Sequence, residues 1–384
     1  MLIDTTESLN ALCERLKKHD FVTVDTEFIR EKTYFPQLCL VQIASTDEAA
    51  CVDPLAKDLD MSALFDLMSN PDVVKVFHAA RQDIEIFFNM TGKIPTPVFD
   101  TQVAAMVCGF RESVSYQNLV AKLLKISLDK SMRYTDWARR PLTDRQVEYA
   151  LNDVTHLRHV YLKLKDKLAQ NGREAWLSEE MDFLTDPHTY RQDPYEMWKR
   201  FKPTCSSAHY LALLRELAAW REEEARRVDR PRKHVMRDEM LLDIAASAPE
   251  TAEELDKLRS ATQGFAKSRY GKAVLEIVTR AKNEPVAADI SLYDEKREIP
   301  PSTQALIKML RLLLSVKAAA NGVAEKMIAS AEDIDALGLG ETAKNPVLQG
   351  WRYDVFGKDA QALMRGELAV RYNPDKKNAE VFSA

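Results

Sequence analysis

The sequence predicts an α/β layered domain followed by two small all-α modules, and three observations lead to this prediction. In the first half of the 384-residue chain, short β-rich runs alternate with stretches whose apolar residues recur at helical spacing. The pattern breaks at residues 186–203, which hold two Asp-Pro dipeptides and one Lys-Pro, and again at residues 283–301. Each break is followed by a helix-rich segment with almost no strand signal. We therefore place domains at residues 1–186, 206–282 and 302–384.

The period of the apolar residues distinguishes strands from helices along the chain. The predicted strands are residues 21–28, 38–44 and 73–77. The predicted helices of the first domain are residues 61–68, 81–90 and 143–168. In the second domain, Thr251 followed by Glu254 resembles a capping box and predicts a helix start. Residues 331–341 of the last domain give no clear capping signal.

The composition is that of an ordinary globular protein, with 46% hydrophobic and 29% charged residues. The N-terminus has no basic leader before an apolar stretch, and no apolar run approaches the roughly 20 residues that span a bilayer. We therefore expect a cytoplasmic protein. The five cysteines are odd in number, widely spaced and mostly embedded in apolar runs, which predicts buried thiols rather than disulfides or a zinc site.

Net charge and phosphate-binding motifs narrow the functional classes. The net charge of -5 gives no sign of a generally basic surface for nucleic acid, although an acidic metal site can still present cations to phosphate. No stretch matches a P-loop, and no glycine-rich dinucleotide loop follows a strand. The sequence therefore lacks the main motifs that would indicate an ATPase or a dehydrogenase.

Two acidic residues share one face of the first long strand. Side chains alternate between faces along a strand, so Asp25 and Glu27 project from the same side. The neighbours Val22, Val24 and Phe28 predict a central, largely covered strand, although a solvent-facing strand edge also accommodates such a pair. Like charges this close repel unless a cation lies between them, so we interpret the pair as a candidate metal site.

Two further acids and a tyrosine complete a possible constellation. Tyr149 and Asp153 are four residues apart and lie on one helical face, a spacing that is also common on solvated helices. Asp83 follows the strand at residues 73–77, where the helix dipole alone would favour an acid. Together, a strand, a strand-to-helix junction and a late helix can bring four carboxylates and a phenol to one spot.

The ligand types indicate the chemistry. Carboxylates without thiolate or histidine select Mg²⁺ or Mn²⁺ over zinc, so His78 is expected to be a packed residue rather than a ligand. Two such ions about 4 Å apart stabilise the attacking and leaving oxygens of a phosphoryl displacement, which predicts phosphodiester hydrolysis. A phenol has an ordinary pKa of about 10 and is a poor base at neutral pH, so Tyr149 should orient the attacking water.

Three ordered motifs carry a resemblance to a known superfamily. Asp25-x-Glu27, Asp83 after His78, and Tyr149-x-x-x-Asp153 resemble the motifs of the DEDD exonucleases, tyrosine subtype. Further segments are similar to the ribonuclease D family, namely residues 34–44, 99–102, 128–131, 136–137 and 140–142. Residues 210–281 resemble an HRDC domain, and the last module, ending in residues 350–357, resembles a more divergent second HRDC domain.

The resemblance covers nearly the whole chain, and it implies a fold, an activity and a ligand set. The fold would be a ribonuclease H-like exonuclease domain, with a mixed sheet flanked by helices, followed by two all-α HRDC domains. Asp25, Glu27 and Asp153 would ligate a first metal ion, Asp25 would bridge to a second, and Asp83 would support the second through water. Tyr149 would position the nucleophilic water. The implied substrate is the 3′ end of RNA, particularly transfer-RNA precursors, released as nucleoside 5′-monophosphates; no obligate protein partner is evident.

Four residues are candidates for substrate binding: Gln42, Lys130, Trp137 and Arg140. Basic residues flank Trp137 in a loop-like stretch, which suits single-stranded RNA through phosphate contacts and stacking. A solvated loop around a buried tryptophan fits the same pattern, and the resemblance favours Lys130 and Arg140 as RNA contacts. Gln42 is a candidate because its segment resembles the family.

A dense basic segment lies in the first helical module. Residues 226–237 hold six arginines or lysines against the single acid Asp229, which suits phosphate binding. Glu222, Glu223 and Glu224 immediately precede the segment, so an intramolecular charge network is an equal alternative.

Two other functions compete with exoribonuclease activity. A DNA-directed 3′-to-5′ exonuclease of the proofreading kind would use the same acids, although the sequence contains no polymerase or helicase segment. A non-catalytic RNA-binding protein would use the helical modules, but it would have no need of all five catalytic positions. In the favoured hypothesis the helical modules mainly extend the surface that contacts RNA.

Overall fold

A computed structural model describes residues 1–110, 112–129, 132, 135–202, 207–283 and 299–383. The chain divides into two units. The first consists of Met1–Glu27, Cys39–Asp186 and Glu298–Ala384, and the second of Phe28–Leu38 and Pro187–Arg297. The division into domains at residues 1–186, 206–282 and 302–384 remains a prediction.

The first unit is built on a six-stranded sheet. Its strands are β1 (Leu2–Ile3), β2 (Phe21–Ile29), β3 (Gln37–Ala44), β4 (Ala49–Val52), β5 (Val74–Phe77) and β6 (Val98–Asp100). Their spatial order is β1-β4-β3-β2-β5-β6. β2 pairs in parallel with β5 and β3 pairs antiparallel with β4, which confirms the mixed sheet. The three predicted strands are present, with ends that differ from the prediction by one residue.

Within the described residues, seven α-helices precede those of the second unit. They are α1 (Thr6–Leu16), α2 (Ser62–Ser69), α3 (Arg81–Thr91), α4 (Thr101–Val107), α5 (Tyr116–Leu124), α6 (Asp144–Asn171) and α7 (Glu174–Leu184). α6 starts at a capping box formed by Thr143 and Gln146 and ends at Gly172, whose left-handed backbone is a common helix terminator. The predicted helices at residues 61–68, 81–90 and 143–168 are therefore confirmed.

A buried hydrogen bond joins the strand and the helix that carry three of the candidate acids. The Thr23 hydroxyl on β2 lies 2.8 Å from the Val154 carbonyl on α6 and 3.3 Å from the Ala44 carbonyl on β3. Thr23 is two residues before Asp25, and Val154 directly follows Asp153. Because Thr23 is buried with its neighbours Val22 and Val24, β2 is the covered central strand that the sequence predicted.

The second unit is helical around its own core. Its helices are α8 (Ala208–Arg227), α9 (Arg232–Val235), α10 (Asp238–Ser247), α11 (Ala252–Asp256) and α12 (Arg269–Asn283). α11 starts where predicted, with the Thr251 side chain accepting from the Glu254 N–H, while the Glu254 carboxylate accepts from the Glu250 N–H. A 3₁₀ turn at Pro194–Arg200 inserts Trp198 into this core, so part of the predicted connector is packed structure.

The C-terminal part of the first unit is helical and ends in a β-hairpin. Its elements are α13 (Pro301–Asn321), α14 (Glu325–Ile328), α15 (Ala331–Gly338), α16 (Gly350–Arg352), α17 (Lys358–Met364), β7 (Leu368–Asn373) and β8 (Asn378–Ser383). The antiparallel β7–β8 pair corrects the prediction that this module is entirely α-helical. α15 starts at a capping box formed by Ser330 and Asp333, which was not predicted because the partner is Asp rather than Glu or Gln.

The same C-terminal part packs against α7. The indole rings of Trp176 and Trp351 stack with centroids 4.4 Å apart, and Arg352 forms an ion pair with Glu180. Gly109 lies so close to this part that a Cβ there would be 2.3 Å from the Gly322 carbonyl oxygen. These contacts explain why the C-terminal residues share a unit with the sheet.

The cysteines follow the prediction where the structure describes them. Cys13, Cys39, Cys51 and Cys108 are buried free thiols, and Cys205 lies outside the described residues. Burial raises the pKa of Cys13 to about 11 and that of Cys51 to about 12, so both stay protonated at neutral pH. Across the described ranges, no helix combines the length and apolar character needed to cross a membrane.

Candidate active site

Three of the predicted acids meet where β2 faces α6. Asp25 and Glu27 extend from β2 and Asp153 from α6, and one carboxylate oxygen of each lies within 4.8 Å of the others. All three residues are partly buried. The alternation of the strand and the packing of the helix thus produce the constellation that the motif spacing indicated.

Asp83 reaches the same region from the first turn of α3. It is only 7% exposed, and it accepts a hydrogen bond from the hydroxyl of Thr26, which lies between Asp25 and Glu27 on β2. The charge of Asp25 acts on the Asp83 carboxyl. Asp83 is therefore fixed to the acid-bearing strand, although it is outside the group of three oxygens.

The buried side chain of Asp100 holds the turn that delivers Asp83. Its carboxylate accepts from the N–H groups of Ala79 and Ala80 at 3.0 and 2.8 Å. Ala79 has a left-handed φ of 60°, which is unfavourable for a residue other than glycine. Asp100 also caps α4 by accepting from the Gln102 N–H at 2.7 Å. One carboxylate thereby stabilises both the strained turn and the helix start.

The electrostatics of the site disfavour four negative charges without a counter-ion. Burial raises the pKa of Asp25 to about 6, and burial followed by the charge of Asp25 raises that of Asp153 to about 8. Burial, followed by repulsion from the other three acids, raises the pKa of Glu27 to about 9. Burial and Asp25 raise the pKa of Asp83 well above its ordinary value.

These acids fit a divalent cation. The donors are carboxylate oxygens close to one another, which are the ligands that Mg²⁺ and Mn²⁺ prefer. A cation between them would replace repulsion by attraction and favour the charged forms.

Tyr149 lies one helical turn before Asp153 and is directed at the acid cluster. It is hydrogen-bonded to the Asp153 carboxylate, which partly opposes the rise in the pKa of Asp153. On its other side, the Tyr149 ring faces Trp137, with centroids 6.2 Å apart. Trp137 is 3% exposed, so the prediction that its ring stacks on RNA is not supported. The indole instead packs against the tyrosine.

Arg140 is occupied by contacts within the protein. Its Nε and one terminal nitrogen each lie 2.6 Å from an oxygen of the buried Asp53 carboxylate. Its remaining N–H groups donate to the backbone carbonyls of Cys39, Trp137 and Arg139. Because all five guanidinium donors are used, the prediction that Arg140 binds substrate is not supported. Arg140 instead anchors the segment that carries Trp137.

The other two substrate-binding candidates have different outcomes. Gln42 is 0% exposed, so it cannot touch RNA in this conformation, and its amide has no hydrogen-bond partner among the described residues. Lys130 lies outside the described residues, and its RNA contact remains a prediction.

A cavity of about 330 Å³ opens beside Asp25, Tyr149 and Asp153. Its other polar lining residues are His78, Gln102, Ser113, Ser115, Tyr116 and Gln117. His78 hydrogen-bonds with the Thr101 hydroxyl at 3.0 Å and the Val114 carbonyl at 3.1 Å, and burial lowers its pKa. The packed histidine that was predicted is thus also a wall of the cavity. No sequence pattern linked these residues, because the fold alone brings them together.

A second cavity of about 330 Å³ is also lined by Tyr149 and Asp153. Among the described residues that line the two cavities, Arg145 is the one arginine or lysine. It is exposed and precedes Tyr149 by one helical turn. The four-residue spacing of Arg145, Tyr149 and Asp153 could have revealed this residue from sequence.

Comparisons with known proteins identify the families that this chain resembles. A family described as 3′-5′ exonuclease matches residues 1–169, and the HRDC domain family matches residues 210–278. The Ribonuclease D of Granulibacter bethesdensis is 48% identical over 371 residues, covering 96% of this chain and 93% of that protein. The Ribonuclease D of Bartonella henselae is 40% identical over 380 residues, covering 99% and 93%.

The solved structures that resemble this chain also include a ribonuclease D. The crystal structure of Escherichia coli RNase D, described as an exoribonuclease involved in structured RNA processing, matches with a TM-score of 0.81 and 28% identity. That match covers 95% of this chain and 98% of the other. The catalytic core of RRP6 from Trypanosoma brucei matches with a TM-score of 0.56 and 28% identity, covering 73% of this chain and 79% of the other.

The acid cluster makes stability depend on pH. Its folded pKa values lie above the ordinary carboxyl values of about 4, so between about pH 4 and pH 9 the folded metal-free protein binds more protons than the unfolded chain. We predict that the free energy of unfolding of the metal-free protein falls as pH rises from 5 to 8. Added Mg²⁺ should raise it, and more at pH 8 than at pH 5, because the ion binds the deprotonated acids.

Thermal unfolding in EDTA or Mg²⁺ measures this effect. Asp153→Asn should flatten the fall in EDTA and reduce the gain from Mg²⁺. Asp243→Asn, which removes an exposed carboxylate from α10, controls for the loss of one negative charge. A metal-free wild type whose stability does not fall between pH 5 and 8, with no effect of Mg²⁺, would contradict the electrostatic description of the cluster.

Proposed function

Because the chain belongs to the ribonuclease D family, we propose that it is an exoribonuclease that trims transfer-RNA precursors from their 3′ ends with two divalent cations. The 3′-to-5′ exoribonuclease activity on RNA follows from the family and the exonuclease match to residues 1–169. The transfer-RNA substrate and the number of ions are the further steps of the proposal.

The observation that carries the proposal is the approach of three carboxylate oxygens to within 4.8 Å. Asp25, Glu27 and Asp153 would hold one cation, Asp25 would be shared with a second, and Asp83 would support the second through water. When bound, the cations would supply an activated water and neutralise negative charge on the leaving oxygen. Hard oxygen donors favour Mg²⁺ or Mn²⁺ as the ions.

The protein's own groups position the reaction. The water oxygen bonds to the phosphorus of the last nucleotide, the bond from that phosphorus to the 3′ oxygen of the preceding nucleotide breaks, and a proton given up by the water ends on that 3′ oxygen. The last nucleotide leaves as a 5′-monophosphate. Tyr149, held between Asp153 and Trp137, is placed to orient the water through its hydroxyl.

The two cavities beside Tyr149 offer a path for the RNA end. The polar side chains of Gln102, Ser113 and Ser115 line the cavity that opens at Asp25, and they suit a terminal ribose or base. Arg145 lines the other cavity and suits a phosphate. Support for a structured RNA substrate comes from the description of the Escherichia coli relative.

The competing proposal is a DNA-directed exonuclease, because the acids do not distinguish RNA from DNA. Matched 3′-labelled RNA and DNA oligonucleotides, with Mg²⁺ or EDTA, distinguish an RNA-directed from a DNA-directed exonuclease.

We predict Mg²⁺-dependent digestion of RNA in preference to DNA, and almost complete loss of turnover and metal binding in a folded Asp25→Asn variant. The exposed Asp243→Asn variant should match wild type. Preferred digestion of DNA would favour the competitor, and binding without digestion under every metal would favour a non-catalytic RNA-binding protein.

The role of Tyr149 makes a separate prediction. Tyr149→Phe keeps the ring against Trp137 and removes the hydroxyl, so turnover should fall by about two to three orders of magnitude while metal affinity stays close to wild type. Asp153→Asn should lower both, because it removes a ligand. Single-turnover cleavage and calorimetric metal titration of the two variants make the comparison. A Tyr149→Phe enzyme that cleaves at the wild-type rate would show that the phenol is structural.

A further inference from the structure

The segment that begins directly after Glu27, with the last two residues of β2, is part of the helical unit. Phe28–Leu38 groups with Pro187–Arg297 rather than with the rest of the sheet. Within this unit, Tyr34 is 7% exposed and forms an apolar cluster with Ala225 of α8 and Val235 of α9. The β2–β3 connection is therefore packed into the helices as a structural component.

The Tyr34 hydroxyl is the centre of a charged network in this unit. It donates to the carboxylate of Glu222, and it accepts from Arg226 at 3.0 Å and Arg232 at 3.3 Å. Both arginines also form ion pairs with Glu222, which is 1% exposed. Burial opposes the charge on Glu222, but the hydrogen bonds from Arg232 and Tyr34 hold its pKa below the ordinary value.

The basic segment at residues 226–237 was interpreted either as a phosphate site or as part of an intramolecular charge network. The contacts of two of its arginines distinguish these alternatives. Arg226 and Arg232 are engaged with a buried carboxylate and a phenol, so they are part of an intramolecular charge network rather than a free phosphate site. Removing either partner would leave a buried charge without compensation, which is costly.

Asp229 holds the backbone of the same segment. One of its carboxylate oxygens accepts from the N–H groups of Tyr34 and Phe35, both at 3.0 Å. Asp229 follows α8 with a left-handed φ of 47°, a conformation that glycine adopts at lower cost. A glycine would provide no acceptor for the two N–H groups. Asp229 therefore has an unfavourable backbone conformation at a helix end, and its carboxylate provides the acceptor that holds the segment.

The acid-bearing end of β2 lies beyond its pairing with β5 and is flanked on its other edge by β3. β2 pairs with β5 through Phe21, Val22 and Thr23, so this pairing stops two residues before Asp25. Glu27 is adjacent to the segment that Tyr34 and Asp229 hold. Restraint of Tyr34 and Phe35 therefore acts, through the chain itself, on the strand end that presents Asp25 and Glu27.

We propose that Tyr34 and Asp229 are positioning residues for the strand end that carries Asp25 and Glu27, acting through the chain that connects them to it. The proposal rests on the proposed function for the identity of the site, and it revises the expectation that the helical modules mainly extend the contact surface. Neither residue touches the reacting atoms; each acts through the placement of Glu27 and Asp25.

The test uses the full-length protein, a 3′-labelled RNA trinucleotide and Mn²⁺ titration. The trinucleotide is short, so a loss of extended RNA contacts cannot explain a change in its turnover. We expect Asp229→Ala to lower kcat by about tenfold or more through displaced ligands, to weaken Mn²⁺ binding several-fold, and to change KM little. Asp229→Asn keeps an acceptor oxygen and tolerates the left-handed backbone, so it should recover most of the loss.

Two further variants keep the result interpretable. Tyr34→Phe keeps the packed ring and should show a smaller loss in the same direction, so the test holds even if Asp229→Ala does not fold. Tyr270 packs against the same apolar cluster, but its hydroxyl accepts from Arg269, so Tyr270→Phe leaves the Tyr34 network intact and should match wild type. Circular dichroism and melting curves identify the folded variants.

Unchanged kcat and Mn²⁺ affinity in folded Asp229→Ala and Tyr34→Phe would overturn the proposal, as would a rise in KM alone. If wild type digests DNA instead of RNA, the proposed function fails, while the Mn²⁺ titrations still decide whether these residues position the acids.

Discussion

The carboxylates of Asp25, Glu27 and Asp153 are held close together and partly out of water, where like charges repel more strongly than at the surface. The fold maintains this arrangement with uncharged contacts. The Thr23 hydroxyl links β2 to α6 beside two of the acids, and the Thr26 hydroxyl fixes Asp83 to the same strand. The site is thus preorganised for a cation, because burial and mutual repulsion raise the pKa values of its carboxyls and disfavour their charged forms without one.

The residues around Tyr149 form a chain of contacts that starts at Asp53, directly after β4. Asp53 pairs with Arg140, Arg140 binds the carbonyl of Trp137, and Trp137 packs on Tyr149. A segment that resembles an RNA path in sequence therefore acts, in the structure, as a support for the phenol. In the proposed function, a phosphate would instead meet Arg145, which is exposed one turn before Tyr149 on α6.

Periodicity and motif spacing were sufficient to predict the central strands, the long helix α6 and the acids they carry. Asp25 and Glu27 are two residues apart on a strand, and Tyr149 and Asp153 four apart on a helix, so local geometry places each pair. The environment of Arg140 could not be predicted, because its partner Asp53 is distant in sequence, whereas a buried Trp137 was one of two alternatives that the sequence left open. The β7–β8 hairpin and the strained turn at Ala79 were missed for a similar reason: short strands and left-handed residues other than glycine leave weak sequence signals.

The account requires divalent cations bound by the four acids, and anomalous scattering from crystals grown with Mn²⁺ measures this directly. We expect two peaks about 4 Å apart, one contacted by Asp25, Glu27 and Asp153 and the other sharing Asp25, with Asp83 linked through water. Crystals of Asp25→Asn under the same conditions should lose both peaks. A wild-type map with no Mn²⁺ peak at these carboxylates, at a concentration that supports RNA digestion, would contradict the account.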